Sequence, residues 1–513
     1  MAAPSADARH VHVAIAGSGF GGLGLAIRLL QSGVDDFLVF ERAGDLGGVW
    51  RDNSYPGCAC DVQSHLYSFS FAPNPDWTRA YSPSAEIWAY LRRCAADFGV
   101  LPHLRMHHEI RSAAWDGAAG RWVLETTRGR FTADVFVAAV GALSEPKLPA
   151  LPGLDQFAGK LFHSARWDHD YALEGRTVAV IGTGASAIQF VPQIQPRVAR
   201  LHLFQRTPPW IVPRKDFAFS ERAKRVMRRV PLARRLERAT LFVQRELMSI
   251  PFLHPRLAPI AERMALRHLA AQVPDAALRA RLTPSYRLGC KRILVSDDYL
   301  PSLAQPNVEV VCDAITEVTA SGVVTADGRE RAVDAIICGT GFQVTEIPFG
   351  RHVRGSDGKT LDELWQGSPF AHLGIAVHGF PNFFFLLGPN TGLGHTSVVI
   401  MIEHQIEHVL GALRHLRKSG VAAIEPRAEA QAKFVARVDA RMRSTVWTTG
   451  GCSSWYLDRT GRNSTLWPGT TMSFKRRVAR FDAREYQAVA PSTTTEQATG
   501  DRRQATGDDG GWG

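Results

Sequence analysis

The sequence has no apolar run long enough to cross a bilayer as a helix, which takes about 20 residues. Its most apolar stretch, FPNFFFLLGPN at 380–390, is short and ends in turn residues. The first ten residues, MAAPSADARH, lack the apolar core of a secretory signal peptide. These absences predict no integral membrane association, and we expect the protein in the cytoplasm.

Cysteine is also scarce, and its distribution is informative. An odd and dispersed set predicts reduced thiols, not a disulfide framework. The pair Cys58 and Cys60 has no second pair near it at zinc spacing, and it lacks the wider spacing of a flavin disulfide reductase. We therefore expect no metal site and a structural role for this pair. The seven cysteines are Cys58, Cys60, Cys94, Cys290, Cys312, Cys338 and Cys452.

Acidic residues are outnumbered, and the formal net charge is +11. Much of the excess falls in ERAKRVMRRVPLARRLERATLF, at 221–242. A basic amphipathic helix of this kind suits contact with a membrane or nucleic acid, or a solvated face whose arginine stems cover apolar surface. The solvated face is favoured, we expect no nucleic-acid partner, and a positive field also suits a phosphate-rich cofactor.

The segment VHVAIAGSGFGGLGLAIRLLQSGVDDFLVFER, at 11–42, has the order strand, glycine-rich turn, helix, strand that is typical of a nucleotide-binding unit. Gly17 makes the tight turn, Gly19 lets the backbone approach a pyrophosphate, and Gly22 allows close packing of helix on strand. Glu41 ends the second strand, where an acid bonds a ribose hydroxyl. Because an acid there repels a 2′-phosphate, this site should take FAD or NAD, not NADP.

A second unit of this type begins at GRTVAVIGTGASAIQFVPQI, at 175–194. No acid ends its next strand, RLHLFQR, and the guanidinium of Arg206 suits a 2′-phosphate, so we expect NADPH. FAD and NADPH in one chain imply hydride transfer to the flavin. The candidate cofactor-binding residues of the second unit are Gly182, Thr183, Gly184, Ala187, Gln189 and Arg206.

The two units predict an α/β fold with two Rossmann-like, doubly wound, three-layer domains. Hydrophobic strands lead into glycine turns at both 133–146 and 332–342, which indicates a chain that leaves the first domain and returns. We expect a tail at 1–10, a discontinuous FAD domain at 11–150 and 335–485, and an NADPH domain at 151–334. A helical insertion is expected in the NADPH domain at about 214–285, and the polar residues 490–513 are expected to be disordered.

Between the two units, FAGKLFHSARWD matches the pattern F-x-G-x-x-x-H-x-x-x-W-[P/D] at Phe157, Gly159, His163, Trp167 and Asp168. This pattern resembles the fingerprint of type I Baeyer–Villiger monooxygenases, whose nitrogen- and sulfur-oxidising relatives usually carry Tyr or Phe in place of the Trp. The resemblance covers most of the chain, about 10–475, and includes the helical insert after Arg214.

Other stretches carry the same resemblance. They are GGVWRDNSYPGCACDVQSHLYSFSF, LGCKRILVSDDYL, CGTGF and FFLLGPNTGLGHTS. The usual YPGARCD is here YPGCACD, so this chain lacks the arginine of that motif. The stretch CSSWYLDRTGRNSTLWPG, at 452–469, looks like a form found in part of the family, and either shapes the substrate pocket or is an ordinary aromatic packing segment.

The resemblance implies an enzyme that uses NADPH, FAD and O2 to insert one oxygen atom next to a ketone carbonyl, through a C4a-peroxyflavin, giving an ester or lactone. Arg292 would be the main electrostatic group, stabilising an anionic peroxide and the charge of the adduct, with Asp61 orienting it. His163 and Trp167 would lie on the connection between the domains and govern movement of the NADPH domain. The remaining implied cofactor contacts are Gly47, Gly48, Trp50 and Tyr67 for FAD, and Lys291 and Thr207 beside Arg206 for NADPH.

Three alternatives stay open from the sequence. The nearest is a flavin monooxygenase that oxidises nitrogen or sulfur, which the Trp167–Asp168 ending and the Arg292/Asp61 pair disfavour. A disulfide reductase is disfavoured by the cysteine spacing. A non-catalytic nucleotide-binding sensor is disfavoured by two intact cofactor sites together with Arg292. The ketone and the oligomeric state are not determined.

Overall fold

The computed structural model describes residues 8–490. Residues 1–7 of the predicted N-terminal tail and residues 491–513 of the predicted disordered tail lie outside that range. The strands are β1 Arg9–Ala16, β2 Phe37–Phe40, β3 Leu104–Arg105, β4 Ile110–Asp116, β5 Arg121–Thr126, β6 Gly129–Ala138, β7 Lys160–His163, β8 Thr177–Ile181, β9 Arg200–Phe204, β10 Ile211–Val212, β11 Leu294–Val295, β12 Val308–Val311, β13 Ile315–Val318, β14 Gly322–Thr325, β15 Glu330–Ala332, β16 Ala335–Cys338, β17 Val353–Arg354, β18 Phe383–Phe385, β19 Ile424–Pro426 and β20 Tyr486–Ala488.

The α-helices follow strands in both predicted nucleotide-binding units, and five of them lie between β10 and β11. The helices are α1 Phe20–Gln31, α2 Val49–Asp52, α3 Ser84–Asp97, α4 Ala187–Ile194, α5 Glu221–Arg229, α6 Pro231–Leu247, α7 Ile250–Leu253, α8 Ala258–Gln272, α9 Ala276–Arg281, α10 Tyr299–Leu303, α11 Leu361–Trp365, α12 Val398–Ser419, α13 Ala428–Met442, α14 Val446–Thr449 and α15 Thr471–Val478. Short 3-10 turns lie at Leu101–His103, Leu154–Gln156, Ser164–Arg166, Pro255–Leu257, Pro348–His352 and Ala483–Glu485.

The first sheet has the order β17-β4-β5-β6-β1-β2-β3, with β18 also pairing with β6. Strand β1 runs parallel to both β2 and β6, and its last four residues are buried because helices cover one face of the sheet and an aromatic cluster covers the other. The strand begins at Arg9, two residues before its expected start at Val11, because it extends its pairing with the long strand β6 to Phe131. This sheet carries the first glycine turn.

The second sheet has the order β12-β9-β8-β16-β7, and all of its pairings are parallel. Strand β8 lies at its centre and leads into the second glycine turn. Helices α4 and α10 pack with the residues of one face, as the second nucleotide-binding unit predicts. The two Rossmann-like sheets confirm the predicted fold class.

One predicted boundary is wrong. Residues Ala335–Cys338 were expected to open the returning FAD domain, but β16 pairs with β8 on one side and β7 on the other, so it completes the second sheet. A register that buries a four-residue apolar strand between two partners cannot be read from its sequence alone. We therefore propose that the chain returns to the first domain after Cys338.

The insertion between β10 and β11 contains helices α5 to α9, within the range expected for it. Its longest helix, α6, lies against the first domain, where Arg238 donates to the backbone carbonyls of His65, Leu66 and Ser68. Among the described residues, no helix is both long and apolar enough to span a bilayer.

Candidate active site

The first glycine turn forms an open cradle between two backbone segments. Gly17 has φ +94°, and a β-carbon there would lie 2.7 Å from the carbonyl oxygen of Ala139. A side chain at Gly22 would collide with the carbonyl of Gly17, so the helix and strand meet as closely as the motif requires. Gly19 faces Gly48 with only backbone between them. Side chains are therefore absent where a pyrophosphate needs to approach.

Glu41 is buried, and its carboxylate has several partners. It accepts hydrogen bonds from the hydroxyl of Ser18 at 2.6 Å and from the backbone N–H of Ala43 at 2.9 Å. The guanidinium of Arg51 lies 3.1 Å from it. These contacts fix the acid at the end of β2 beside the glycine turn, as the predicted ribose contact requires.

Two aromatic side chains predicted near the flavin lie against each other. The indole N–H of Trp50 donates to the hydroxyl of Tyr67 at 3.3 Å, and the rings meet edge to face at 5.4 Å. Burial raises the pKa of Tyr67, so its hydroxyl is protonated near neutral pH. Gly47 and Gly48 both have positive φ and link these aromatics to the cradle.

The second turn repeats the geometry of the first. Gly182 has φ +107°, and a β-carbon there would lie 2.5 Å from the carbonyl oxygen of Gly339. Space opens at Gly184, where the nearest atom to a β-carbon would be 3.9 Å away. The hydroxyl of Thr183 donates to the carbonyl of Thr207 at 3.3 Å, and Ala187 is fully buried at the start of α4. This turn also fits a pyrophosphate.

Two cations meet beyond the second turn. Arg206 is exposed, and Lys291 is half-buried with its ammonium 5.0 Å from the ring centre of Tyr286. Burial and the nearby Arg206 lower the pKa of Lys291. Within residues 8–490 neither cation has an ion-pair partner, so together they present uncompensated positive charge to an anion.

The side chain of Gln189, which was predicted to bind the cofactor, is bonded to other residues of the chain. Its side-chain oxygen accepts from the hydroxyl of Tyr55 at 3.0 Å, and its amide nitrogen donates to the carbonyl of Ala59 at 2.9 Å. A β-carbon on Gly57 would lie 2.6 Å from the carbonyl oxygen of Gln189. The YPGCACD segment therefore packs on α4, and Gln189 joins the two domains.

The Asp61 carboxylate and the Arg292 guanidinium form a two-pronged ion pair. Nε of Arg292 donates to one carboxylate oxygen at 2.7 Å, and a terminal nitrogen donates to the other at 2.8 Å. Both side chains are about a quarter exposed, at 28% and 25%. Burial alone would raise the pKa of Asp61, but Arg292 and the more distant Arg245 hold it below its ordinary value. The pair therefore stays ionised, and the guanidinium keeps further N–H donors beyond the two that bond Asp61.

Arg245, on α6, is a site residue that the sequence analysis missed. It is the one buried residue of that helix, and its Nε donates to the side chain of Gln63 at 2.7 Å. One terminal nitrogen lies 3.4 Å from the carbonyl oxygen of Asp61 and 3.3 Å from the hydroxyl of Tyr81. Its spacing of seven from Arg238 places both on one helical face, which is the only sequence signal for it.

The C-terminal stretch at 452–469 reaches the same pair. Tyr456 is buried beside Arg292, and burial raises its pKa to about 12 despite that cation, so it is a neutral phenol near neutral pH. It packs in an apolar cluster with Trp210, Phe252 and Trp447. The stretch is therefore an aromatic packing segment that also reaches Arg292, and its part in a substrate pocket stays a prediction.

A disulfide joins this stretch to the segment that carries Lys291 and Arg292. Cys290 and Cys452 are bonded, with their α-carbons 6.1 Å apart and a separation of 162 positions in sequence. The prediction that the cysteines are reduced is wrong for these two, because tertiary folding brings together positions that sequence spacing cannot relate. Cys58 and Cys60 are free and buried, and burial raises the pKa of both thiols, as suits a structural pair.

The fingerprint residues form the edge of the second sheet, not a separate connection. Lys160–His163 is strand β7, and Trp167 packs edge-on against Phe162 at 5.2 Å and against Phe190 of α4 at 5.3 Å. Asp168 forms an ion pair with Lys160, which lowers the pKa of the carboxyl.

The glycine and histidine of the fingerprint have packing reasons of their own. A β-carbon on Gly159 would lie 2.5 Å from the ring of Phe157, so that ring covers the glycine. His163 is buried, its Nδ1 accepts from the N–H of Ala165 at 3.1 Å, and its Nε2 has no partner among the described residues. Burial lowers the pKa of His163, so the ring is neutral near neutral pH.

Comparison with known proteins agrees with this geometry. The family model for flavin-binding monooxygenase-like proteins matches residues 10–353. A steroid monooxygenase structure bound to NADP superposes with a TM-score of 0.82 at 29% identity, over 94% of this chain and 100% of that one. The chain is a flavoprotein monooxygenase that uses FAD and NADPH.

Two relatives narrow the class further. A Baeyer-Villiger monooxygenase of Streptomyces coelicolor is 54% identical over 94% of this chain and 93% of its own length. Another, from Pseudomonas aeruginosa, is 50% identical over 94% and 92%. This chain belongs to the Baeyer–Villiger monooxygenases, and it inserts one oxygen atom of O2 next to a ketone carbonyl to give an ester or lactone.

Proposed function

We propose that Arg292 is the main electrostatic residue of this reaction and that Asp61 holds it in position. The two-pronged ion pair is the observation that carries the proposal. A guanidinium is charged at every working pH, and it stabilises negative charge that develops on the reacting oxygen atoms. Asp61 accepts from two donors of the guanidinium and fixes its plane, which leaves the N–H donors of its other edges for the reacting atoms.

FAD, when bound, supplies the chemistry of oxygen activation, and this chain supplies position and electrostatics. We propose that Gly17, Gly19 and Gly48 admit its pyrophosphate, with Glu41 bonding the ribose. Trp50 and Tyr67 would flank the flavin. The open space at Gly19 and the fixed carboxylate of Glu41 support this assignment.

We propose that Arg206, Lys291 and Thr207 bind the 2′-phosphate of NADPH. The two cations lie close enough for Arg206 to affect the pKa of Lys291, and a phosphate dianion would relieve that repulsion. Gly182, Thr183, Gly184 and Ala187 would hold the pyrophosphate at the start of α4. Gln189 would instead transmit the position of this domain to the segment that carries Asp61, since it already bonds Ala59.

The fingerprint would act on the relation between the domains. Trp167 packs on Phe190, the residue after Gln189, so the edge of the sheet and the interdomain contact share one helix. We propose that His163 and Trp167 set the position of α4, and through it the approach of the nicotinamide to the flavin. They are positioning residues without contact to the substrate.

The substrate would be an apolar ketone. Tyr456, Trp210 and Phe252 belong to the apolar cluster next to the Cys290–Arg292 segment. Sulfoxidation would be a side activity, since the same oxidant also reacts as an electrophile. We propose that the enzyme works in the cytoplasm, where NADPH is regenerated, and fractionation of cells that express the tagged full-length chain would test this.

The variant Arg292→Ala tests the central assignment. We expect NADPH to reduce the bound flavin within about threefold of the normal rate, while ester formation from a panel of apolar ketones falls by at least about a thousandfold. Flavin bleaching would be followed by absorbance and products by gas chromatography. Arg484→Ala, at an exposed arginine that also pairs with an aspartate, is the matched control. Normal ester formation by Arg292→Ala would refute the assigned role.

A further inference from the structure

Helix α6, Pro231–Leu247, packs Arg238 and Arg245 inward beside Leu241 and Phe242, and it turns a stripe of other apolar side chains outward. The inward side holds Arg238 and Arg245, which bond the segment 61–68 and Tyr81. The outward side carries Leu232, Leu236, Val243 and Leu247, which are 61%, 59%, 54% and 59% exposed. Their spacing of four, seven and four residues keeps them in one stripe along the helix. This outward stripe is unusual, because the solvent side of a surface helix is ordinarily polar.

Other exposed apolar side chains lie in the rest of the helical insertion. Of the eighteen large hydrophobic side chains that are exposed among residues 8–490, thirteen lie between Phe217 and Leu266. Helix α8 contributes Ile260 and Met264, which are 69% and 54% exposed and one turn apart. A monomer rarely leaves so many large apolar side chains in water within one segment, so this segment is suited to contact with another surface. We call it the insertion face.

The insertion face is basic as well as apolar. Among its exposed cations, Arg228 pairs with Asp76 and Glu221. Within the described part of the chain the others have no ion-pair partner; they are Arg222, Arg225, Arg229, Arg235, Arg256, Arg263 and Arg267. Its exposed acid, Glu221, is bonded by Lys224 at 2.9 Å. On α8, Arg263 and Arg267 share the side of the helix that carries Ile260 and Met264, by their helical spacing.

We propose that the insertion face binds the surface of a bilayer that contains anionic phospholipid. Apolar side chains flanked by arginines suit the boundary between acyl chains and headgroups, because the side chains enter the apolar layer while the guanidinium groups meet phosphates. A second copy of the chain fits less well, since the same unpaired arginines would face each other across the contact. Anionic lipid complements both properties at once.

Because of the orientation of α6, a bilayer on the insertion face would lie near the Asp61–Arg292 ion pair. The inward side of the helix touches the backbone of Asp61 through Arg245, at 3.4 Å. A bilayer bound on the outward side therefore lies one helix away from the ion pair. An apolar ketone dissolved in that bilayer would be concentrated next to the site. The binding surface itself does not depend on the reaction assigned above.

The test uses the full-length, FAD-loaded enzyme and vesicles of phosphatidylcholine with a quarter of phosphatidylglycerol. We expect the enzyme to sediment with these vesicles and to be released by high salt, since exposed charges are screened. Vesicles of phosphatidylcholine alone should bind it at least about fivefold more weakly, because each arginine near an anionic surface contributes about that factor. Absence of sedimentation, or equal binding to both vesicle types, would overturn the proposal.

Variants locate the surface. Leu236→Gln with Val243→Gln should weaken binding to the anionic vesicles by roughly tenfold or more, while NADPH oxidation in solution stays normal. Leu101→Gln with Leu143→Gln, at exposed positions outside the insertion face, should bind as the unmodified enzyme does. Unchanged binding by the first pair would overturn the assignment. So would light scattering showing that the first pair splits an oligomer, because the occupant would then be a second copy.

Discussion

Replacing Asp61 by asparagine removes one charge and one acceptor while keeping the shape of the side chain. In the unmodified protein, two donors of Arg292 meet the two carboxylate oxygens at 2.7 and 2.8 Å. In the variant, the amide oxygen still accepts one of these hydrogen bonds, but the amide nitrogen faces the other donor. A hydrogen bond between charged groups contributes about 1.5–3 kcal/mol. If that energy orients Arg292 for the reaction, its loss lowers the rate of ester formation by about 10- to 100-fold. The pair is a quarter exposed, so we expect a loss of about 2 kcal/mol in the free energy of unfolding.

The assay separates the two half-reactions. Flavin reduction by NADPH should remain within about threefold of normal, and the ratio of ester formed to NADPH consumed should fall, with hydrogen peroxide making up the difference. Asp482→Asn is the control, because Asp482 forms the same two-pronged bond with Arg484 on the surface, at 2.9 and 2.7 Å. Unchanged coupling in Asp61→Asn would show that the carboxylate does not orient Arg292. An equal loss in the rate of flavin reduction would show that the ion pair acts in flavin reduction and not specifically in oxygenation.

Three further predictions follow from the charges. Arg206→Ala should raise KM for NADPH by roughly 10- to 100-fold and leave KM for NADH nearly unchanged, as steady-state kinetics with both cofactors would show; equal effects would move the phosphate site elsewhere. Arg245→Met should lower ester formation and shift the acid limb of its pH profile upward, because Arg245 helps to lower the pKa of Asp61; an unshifted limb would leave Arg245 a purely structural residue. His408 is buried in α12, and its ring bonds the carbonyl of Val478 at 2.9 Å and the hydroxyl of Tyr486 at 2.8 Å. Burial lowers the pKa of His408 to about 4, so it stays neutral in the folded state but gains a proton in the unfolded state below pH 6.5. Acidification from pH 7 to pH 5 should therefore cost about 2 kcal/mol of stability. Urea unfolding at both pH values should show a smaller loss of stability on acidification for His408→Gln than for the unmodified enzyme. An equal loss would show that His408 is not the group responsible.

Several features of the fold follow from the sequence because they rest on local rules. A glycine with positive φ between a buried strand and a helix is recognisable as a pattern, and both Gly17 and Gly182 adopt that conformation. The acid Glu41 at the end of one strand, and Arg206 in place of an acid at the end of the corresponding strand, are likewise features of local sequence. The helical insertion is visible in composition, since its Arg, Ala and Leu content interrupts the second nucleotide-binding unit.

Other features needed the assembled chain. Strand β16 is four apolar residues that either sheet could accept, and only its pairing with β7 and β8 assigns it to the second. The bond between Cys290 and Cys452 and the position of Tyr456 beside Arg292 join segments more than 150 residues apart. No local pattern encodes such a contact.

The sequence by itself determined the two nucleotide turns and the family fingerprint, because each depends on residue type at fixed spacing. The resemblance that the fingerprint carries then pointed to Asp61 and Arg292. Tertiary structure decided which way each side chain points. The basic pattern at 221–242 predicts a solvated face if its arginines point outward, yet the structure turns Arg238 onto the carbonyls of His65 and Leu66 and exposes Leu236. Helical periodicity fixes that the two sets lie on opposite sides, and only packing against the first domain selects the side that faces water.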